Sequence, residues 1–324
     1  MSKALGLLSG GLDSSLAALC LKRQGIEVTA IAFVTPFFGS SKAEHAAHQM
    51  EIPLIIKNIS DVHLDMVKNP RYGYGKNMNP CIDCHAMMFR LAGELMVESG
   101  FDFLFSGEVL GQRPMSQNAN ALRSVANHSG HPDRILRPLS AKLLPITPME
   151  EQGLVDRERL LDIQGRSRKR QEALAKEWQL TDFPASGGGC LLTEIHFSDR
   201  LRDLFDHQPE CTINDVELLK VGRQFRLSQR AKLTLGRHQN DNDAIRKLAA
   251  SDHIILCTPA VPGPLGLVSG EPSDQDLKTA GAILASYGKG KDQPEVEVVA
   301  EMPAEEQRFT VAPMLREESQ KMIV

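Results

Sequence analysis

Apolar and amphipathic stretches alternate along the first hundred residues of the chain. Four apolar runs rich in β-branched residues predict strands, at residues 3–10, 27–37, 53–59 and 101–110. Three intervening stretches have helical periodicity, at residues 12–25, 41–51 and 84–100. Because both faces of such strands are apolar, the pattern predicts a parallel sheet with helices on both sides. Ligands bind at the C-terminal ends of the strands in sheets of this kind.

The pattern changes beyond the glycine-rich string FPASGGGC at residues 183–190. Before it, residues 110–155 are irregular and rich in proline, and residues 156–180 look helical with a break at Gly165. After it, short strands and turns surround one helix, in segments 216–238, 240–250 and 253–270.

These patterns predict an α/β fold, a Rossmann-like parallel sheet, followed by a smaller α+β domain. The predicted division is residues 1–189 for the first domain, 190–298 for the second and 299–324 for a charged C-terminal tail.

Composition is that of an ordinary soluble protein. The chain has 324 residues, of which 42% are hydrophobic and 24% charged. No apolar run reaches the roughly 18 residues needed to cross a bilayer, and the N-terminal run is too short for a secretory signal. We therefore expect a cytoplasmic protein with no membrane partner. The net charge of −4 means that any argument for nucleic acid must rest on local patches.

The string SGGLDSS at residues 9–15 lies between the first strand and the first helix. Its glycines let the backbone turn tightly and approach a phosphate, and the free amides of a helix N-terminus favour an anion. Asp13 fits a site where a magnesium ion bridges a carboxylate and a phosphate. No GK[ST] follows, so the motif is not the P-loop of kinases and GTPases.

Two of the six cysteines, Cys81 and Cys84, are three residues apart at a predicted helix start. Their spacing alone is compatible with a redox pair, a zinc half-site completed by His85, or a buried structural pair. Cys190 adds a third thiol after a flexible glycine turn. Three thiolates can hold three irons of a [4Fe-4S] cluster and leave the fourth iron open. We expect that Cys20, Cys211 and Cys257 do not bind a metal or a cluster.

The motif SGGxDS resembles that of the PP-loop ATP pyrophosphatases, which cleave ATP between the α and β phosphates. Residues 106–117, SGEVLGQRPMSQ, look like a segment of the tRNA 4-thiouridine synthetases. CIDCH at residues 81–85 and CLLT at residues 190–193 match the three cysteines of the cluster-dependent tRNA thiolases. The resemblance covers roughly residues 1–195 and implies a PP-loop fold that uses ATP, Mg²⁺ and a [4Fe-4S] cluster.

The resemblance also implies roles for individual residues. The residues expected to bind nucleotide and Mg²⁺ are Ser9, Gly10, Gly11, Asp13, Ser14, Ser15 and Gly107. The expected cluster ligands are Cys81, Cys84 and Cys190, and the expected catalytic residues are these three together with Asp13 and Asp83.

A basic stretch between Lys220 and Lys247 holds eight Lys or Arg against two Asp or Glu. VGRQFRL and LTLGRHQNDNDAIRKL, at residues 221–227 and 233–248, resemble the RNA-binding domain of NFACT proteins. Such a patch gives phosphate affinity that does not depend on sequence. The residues expected to contact RNA are Gln112, Arg113, Arg168, Lys169, Arg170, Arg223, Arg226, Arg230, Lys232 and Arg237.

Together these features predict an ATP-dependent tRNA sulfurtransferase that adenylates a uridine oxygen and replaces it with sulfur. The resemblance of residues 106–117 to the 4-thiouridine synthetases favours 4-thiouridine at position 8 over 2-thiouridine at position 34. The sulfur donor is inorganic sulfide or a persulfide carrier, and a homodimer is compatible with the sequence. The alternatives are persulfide chemistry on Cys84 or Cys190 without a cluster, another PP-loop amide-forming ligase, and an RNA-binding protein that holds ATP as a structural ligand.

Overall fold

The computed structural model describes residues 1–185, 189–302 and 305–324. It divides into two compact units, Met1–Thr193 and Glu194–Val324. The first domain therefore extends past the expected boundary, and Cys190 belongs to it.

A parallel five-stranded sheet forms the centre of the first unit. Its strands are β1 (Lys3–Leu7), β2 (Glu27–Val34), β3 (Leu54–Asn58), β4 (Phe103–Ser106) and β5 (Ile135–Leu136). They lie in the order β3-β2-β1-β4-β5. The strand order reverses between β1 and β4, which is the position where doubly wound sheets bind ligands at the C-terminal strand ends.

Seven helices surround this sheet in the part of the unit that is described. They are α1 (Leu12–Lys22), α2 (Ser41–Met50), α3 (Ser60–Lys68), α4 (Cys81–Ser99), α5 (Ala119–His128), α6 (Pro148–Glu151) and α7 (Lys169–Glu177). One apolar cluster joins α1 and α2 to the sheet, and a second joins α4 and α5 to it. Helices therefore cover both faces, and the predicted Rossmann-like α/β fold is confirmed.

The second unit is built on an antiparallel six-stranded sheet. Its strands are β6 (Arg223–Arg226), β7 (Ala231–Leu235), β8 (Ile254–Cys257), β9 (Gly266–Gly270), β10 (Val296–Glu301) and β11 (Glu306–Val311), in the order β11-β10-β8-β9-β7-β6. Its helices are α8 (Ile195–His207), α9 (Ile213–Leu218), α10 (Gln239–Leu248), α11 (Asp274–Tyr287) and α12 (Arg316–Gln320). The predicted α+β character is confirmed.

Two local predictions differ from the structure. The segment expected to form a tail pairs as β11 with β10 over six residues, so its alternating apolar residues join the sheet. Residues 156–180 form an α-helix only over Lys169–Glu177. Gly165 has a φ of +80°, which an α-helix cannot accommodate, and the segment before it contains only a short 3₁₀ helix, Arg157–Arg159.

No helix in the described ranges has the length and apolar character needed to cross a membrane.

Candidate active site

The SGG turn forms a cradle between β1 and α1. Gly10 has a φ of +74°, and a Cβ there would lie 2.2 Å from the backbone carbonyl carbon of Lys42. Gly107 closes the other side, where a Cβ would lie 2.4 Å from the backbone nitrogen of Ser14. Side chains are therefore excluded at both positions, and the backbones of α1, α2 and the β4 end approach each other closely.

The serines of the motif shape this cradle. The hydroxyls of Ser14 and Ser15 donate to the carbonyl oxygen of Gly11, at 2.9 and 3.1 Å, and both side chains are buried. The hydroxyl of Ser9 lies 3.2 Å from that of Ser14. The first amides of α1 lack partners within the helix because of helix geometry, so the cradle presents N–H donors to an anion.

Asp13 stands at the helix start with one oxygen engaged and one free. Its Oδ2 accepts a hydrogen bond from Gln112 Nε2 at 3.1 Å. Its Oδ1 is buried and has no hydrogen-bond partner among the described residues. A buried, unsatisfied carboxylate oxygen is unfavourable unless a cation or a donor arrives. The donor set and the excluded side chains therefore fit an Mg²⁺–nucleotide complex. Gln112, which we expected to contact RNA, belongs to this site.

The two cysteines of the CxxC pair occupy the first turn of α4. Cys81 is the first residue of the helix, and Cys84 donates its backbone N–H to Pro80 at 2.9 Å. Burial raises the pKa of the Cys84 thiol well above its usual range, and the nearby Cys190, Cys81 and Asp83 raise it further. Cys190 is thus near enough to Cys84 to raise the pKa of its thiol, and the role of the three cysteines as cluster ligands stays a prediction.

A [4Fe-4S] cluster takes each thiolate on a different iron, so its ligands stand farther apart than those of a single ion. Within residues 1–185, 189–302 and 305–324, no group of three or more His, Cys, Asp or Glu is arranged to hold one metal ion. Three neighbouring thiols still match the ligand set of a cluster with one open iron, and they do not match a four-ligand zinc site.

His63 contacts the Cys84 thiol from α3, with 3.3 Å between Nε2 and Sγ. The ring is fully buried and packs against Phe37 and Phe38, with centroid distances of 5.4 and 5.3 Å. Burial lowers the pKa of His63 from 6.5 to about 4, so the ring is neutral near pH 7. Sequence reasoning missed this residue because a histidine inside an amphipathic helix has no local signature.

The loop before α4 ties the CxxC pair to the segment that carries Cys190. Asn79 Nδ2 donates to Cys81 Sγ at 3.2 Å, and Asn77 Nδ2 donates to the carbonyl of Thr193 at 2.6 Å. The hydroxyl of Thr193 in turn donates to the carbonyl of Cys190 at 2.7 Å. Asp83, which we expected to be catalytic, accepts the backbone N–H of Tyr72 at 2.9 Å and so anchors this loop. Its catalytic role stays a prediction.

A buried ion network lies directly after Gly107. Glu108 accepts hydrogen bonds from Arg137 Nε at 2.8 Å and from the Ser106 hydroxyl at 3.1 Å, both on Oε2. Its Oε1 lies 2.8 Å from His85 Nδ1. Burial opposes ionisation of Glu108, but the charge of Arg137 and the His85 contact outweigh it and lower the pKa from 4.5 to about 2.

Acid should therefore destabilise the fold by protonating Glu108. The lowered pKa stabilises the fold above pH 4.5, and this contribution of about 3 kcal/mol is lost as the pH falls toward 2. We expect Glu108→Gln to be less stable than the natural chain by a similar amount at pH 7, and this gap to shrink on acidification. Urea unfolding between pH 7 and pH 2 measures it. Glu94→Gln, at an exposed position, is the matched control, and a gap that is constant across pH would refute the prediction.

The residues expected to contact RNA divide into three groups. Lys232 is 5% exposed and lies 3.8 Å from Asp203, which also holds Arg226 at 2.6 Å. Burial lowers the pKa of Lys232 to about 8. This pair stabilises the second unit from inside, so we remove Lys232 from the expected RNA surface.

A second group is exposed but already paired with carboxylates. These are Arg170 with Asp162, Arg230 with Glu271 and Arg237 with Asp241. The third group consists of Arg113, Lys169, Arg168 and Arg223. Arg113 and Lys169 are exposed, Arg168 is half-buried, and the Arg223 guanidinium lies 4.9 Å from the ring centre of Tyr287.

Sequence reasoning also missed Lys42 and Arg316. The Lys42 backbone abuts Gly10, and its Nζ would lie 3.6 Å from a Cβ on Gly189, so this residue links the cradle to the residue before Cys190. The Arg316 guanidinium also lies over the Tyr287 ring, 5.1 Å from its centre. Lys42 follows a polar loop and Arg316 lies in the segment expected to be a loose tail, so neither stands out in the sequence.

Two family models match the chain. The model of the thiamine biosynthesis protein (ThiI) matches residues 1–142, and that of the NFACT protein RNA binding domain matches residues 222–323. The first part of the chain thus matches the ThiI family and the last part matches the NFACT RNA-binding domain, and both predicted resemblances are confirmed.

Individual relatives agree over part of the chain. A probable tRNA sulfurtransferase of Staphylococcus aureus (strain MRSA252) is 29% identical over 144 residues, which is 42% of this chain and 34% of that protein. The chain thus spans about a third of the length of this curated relative.

Two solved structures are also similar to the chain. A 4-thiouridine synthetase in complex with RNA and ATP is 20% identical, with 55% of this chain and 52% of that chain covered and a TM-score of 0.36. A predicted subunit of a tRNA methyltransferase from Methanocaldococcus jannaschii is 16% identical, with 55% and 75% covered and a TM-score of 0.36.

Proposed function

We propose that the protein is an ATP-dependent tRNA sulfurtransferase that converts a uridine to a thiouridine, and we assign 4-thiouridine at position 8 as the product. A single feature carries this proposal. The nucleotide cradle and a set of three neighbouring thiols occur in one unit, and Gly107, Glu108 and His85 connect them through direct contacts. The ThiI family match and the S. aureus relative support the same reaction class.

The first half of the reaction is adenylation. The uracil oxygen attacks the α-phosphorus of ATP, an O–P bond forms, and the bond to the β-phosphate oxygen breaks to release pyrophosphate. The amides at the start of α1 face the phosphates, and the free Oδ1 of Asp13 would hold Mg²⁺ against the charge that develops on the leaving group. Gln112 keeps the other carboxylate oxygen in place.

The second half replaces the activated oxygen with sulfur. Hydrosulfide attacks the activated carbon, a C–S bond forms, and AMP leaves with the former uracil oxygen. Cys81, Cys84 and Cys190 would hold a [4Fe-4S] cluster, which supplies an iron without a cysteine ligand where sulfide can be held. The hydrogen bond from Asn79 orients the Cys81 sulfur, and the bonds from Asn77 to Thr193 and from Thr193 to the Cys190 carbonyl hold the backbone at Cys190 in place.

Nucleoside mass spectrometry tests the proposal directly. Deletion of the gene should remove one thiouridine from bulk tRNA, and a plasmid copy should restore it. Loss of 4-thiouridine supports position 8, whereas loss of 2-thiouridine moves the target to position 34. An unchanged thionucleoside profile refutes the sulfurtransferase function and favours an amide-forming ligase or an RNA-binding protein that holds ATP structurally.

The persulfide alternative uses the same thiols, and the iron content of the purified protein distinguishes it from the cluster mechanism. Protein purified without oxygen should show the visible absorption of an iron–sulfur cluster and contain about four irons per chain. A colourless protein that thiolates tRNA at the full rate would establish a persulfide carrier instead.

Gly107→Ala should weaken ATP binding because the new methyl group cannot fit against α1. It would lie 2.4 Å from the Ser14 nitrogen and 2.5 Å from the Asp13 carbonyl carbon, and both are backbone atoms. We expect the Kd for ATP to rise at least about tenfold and stability to fall by about 1–3 kcal/mol. Calorimetry and urea unfolding measure both. Gly39→Ala, where a Cβ meets nothing within 4 Å, should leave both unchanged, and equal effects of the two substitutions would contradict the cradle.

The second unit is proposed to bind tRNA through Tyr287 and the two arginines that flank it. Among the described residues, no carboxylate forms a salt bridge with Arg223 or Arg316, whereas Arg230 is paired with Glu271. Phosphate contacts therefore compete with no internal ion pair at these two positions.

Arg316→Ala should lower the affinity for tRNA and reduce the slope of log affinity against log salt by about one. Arg230→Ala is the matched control, because its charge is neutralised within the unit and its loss should change the slope less. Filter binding of tRNA at several salt concentrations measures both variants. A larger slope change in Arg230→Ala would reverse the assignment.

A further inference from the structure

The chain enters α7 from the edge of the nucleotide cradle. The backbone N–H of Gly165 donates to the carbonyl of Leu110 at 2.8 Å, and a Cβ on Gly111 would lie 3.6 Å from the Gly165 nitrogen. The next residue, Gln112, holds Asp13 of the cradle. The segment that leads into α7 is therefore fixed beside the carboxylate of the SGG motif.

Helix α7 runs beside α1 and in the same direction. Arg23 is the C-cap of α1, and its guanidinium lies 5.3 Å from the ring centre of Trp178, the C-cap of α7. The two helices have 11 and 9 residues, so they are about 17 and 14 Å long. Since their C-terminal ends meet and the chain enters α7 beside the cradle, both helices begin at the same end.

The first turn of α7 holds buried polar groups without partners. Gln171 is 0% exposed, and neither its Nε2 nor its Oε1 has a hydrogen-bond partner among the described residues. The N-cap residue, Arg168, is half-buried, and its Nε is buried and likewise unpartnered. Helix side chains are tilted toward the N-terminus of the helix, so these groups belong to its opening turn. Such burial is unfavourable unless a ligand supplies the missing hydrogen bonds.

The charge around this turn is positive. Residues 165–171, GRSRKRQ, contain four cations and no acidic residue. Arg170 is paired with Asp162, whereas no carboxylate within the described part of the chain forms a salt bridge with Arg168. The first amides of α7 have no partners within the helix and favour an anion. Desolvated N–H donors, a free guanidinium and a helix N-terminus together fit a phosphate group.

We propose that Arg168, Gln171 and the first amides of α7 form a second phosphate subsite, which binds the β and γ phosphates of ATP beside the cradle on α1. The same groups then hold the pyrophosphate that adenylation releases. Arg168, which we expected to contact RNA, is reassigned to the nucleotide. This inference rests on the proposed function, because it presumes that ATP is the ligand of the cradle.

Calorimetry with Mg²⁺–ATP and with AMP tests the subsite. In Arg168→Gln we expect the Kd for Mg²⁺–ATP to rise at least about tenfold and the Kd for AMP, which lacks these phosphates, to change less than about twofold. Lys176→Gln is the matched control, because it removes one positive charge at the exposed far end of α7 and should leave both constants unchanged. An unchanged Kd for Mg²⁺–ATP in Arg168→Gln, or an equal loss for AMP, overturns the proposal.

A phosphate of tRNA has the same chemistry, and salt dependence separates the two sources. Filter binding of tRNA to Arg168→Gln at several salt concentrations should give the slope of the natural chain. A slope reduced by about one, together with an unchanged Kd for Mg²⁺–ATP, would assign Arg168 to tRNA and overturn the proposal.

Gln171→Leu gives a result that a merely structural residue would not give. The substitution removes a buried amide without partners, so the free protein should unfold at the same or a higher urea concentration. The Kd for Mg²⁺–ATP should nevertheless rise about threefold to tenfold, because one donor to the phosphates is lost. Lower stability with an unchanged Kd for Mg²⁺–ATP would exclude Gln171 from the subsite.

Failure of this inference is distinguishable from failure of the proposed function. A natural chain that binds Mg²⁺–ATP but thiolates no uridine refutes the sulfurtransferase function, and calorimetry alone then decides on the subsite. A natural chain that thiolates tRNA while Arg168→Gln keeps its full affinity for Mg²⁺–ATP refutes only the subsite. A natural chain that binds no Mg²⁺–ATP refutes both.

Discussion

Cys84→Ser is expected to abolish thiolation of tRNA, while adenylation of the tRNA with release of pyrophosphate continues. Cys84 contacts His63 at 3.3 Å, and the nearby Cys81 and Cys190 raise the pKa of its thiol. A serine hydroxyl fills nearly the same space, but it is a poor ligand for iron and cannot carry a persulfide. Activation depends on the cradle around residues 9–15, which the substitution leaves untouched.

Three measurements on the same preparation separate the outcomes. Thionucleosides are counted by mass spectrometry, pyrophosphate release is followed with tRNA present, and iron is measured after anaerobic purification. We expect thiolation at background, pyrophosphate release within a few-fold of the natural chain, and a loss of iron. Retention of iron with loss of thiolation would identify Cys84 as a persulfide carrier and would contradict its role as a ligand.

Cys257→Ser is the matched control for this experiment. Cys257 ends β8 in the second unit and is half-buried, so the substitution makes the same chemical change in the unit that carries none of the proposed ligands. All three measurements should be unchanged in this variant. Full thiolation by Cys84→Ser would remove sulfur transfer from this site altogether and favour a PP-loop ligase.

Asp13→Asn is expected to reduce pyrophosphate release by about 10² to 10³-fold. The substitution removes the charge that would hold Mg²⁺ at the cradle, while the amide keeps the shape of the side chain. The polar atom that replaces Oδ1 is still buried without a partner but carries no charge, so its burial is less unfavourable and we expect the variant to be at least as stable as the natural chain. Lower activity together with unreduced stability is the signature of a functional carboxylate.

The Mg²⁺ dependence of the residual activity sharpens this test. If Asp13 holds the ion, the variant should need a higher Mg²⁺ concentration for half-maximal activity. Asp102→Asn is a control at the other end of the sheet, where Asp102 caps the start of β1 by accepting the backbone N–H of Lys3. An equal loss of activity in the two variants, or an unchanged Mg²⁺ requirement in Asp13→Asn, would contradict the assignment.

The sequence by itself determined the α/β fold and the nucleotide cradle. Strand and helix periodicities are local properties, and the cradle is a continuous stretch whose glycines, serines and acid meet through short-range backbone geometry. The CxxC pair follows for the same reason, since both cysteines lie in one helical turn. Cys190 could be proposed from the family resemblance, but its place in the first unit and its proximity to Cys84 depend on the fold.

Only the tertiary structure decided which polar residues work together. Glu108 meets His85 and Arg137 across 23 and 29 residues of sequence, and no periodicity indicates such pairs. The same holds for the basic residues of the second unit, where pairing of β6 with β7 sets Lys232 opposite Arg226 and Asp203 draws both toward the interior. The sign of a charge follows from the residue type, but its burial and its partner depend on the long-range packing that brings distant segments together.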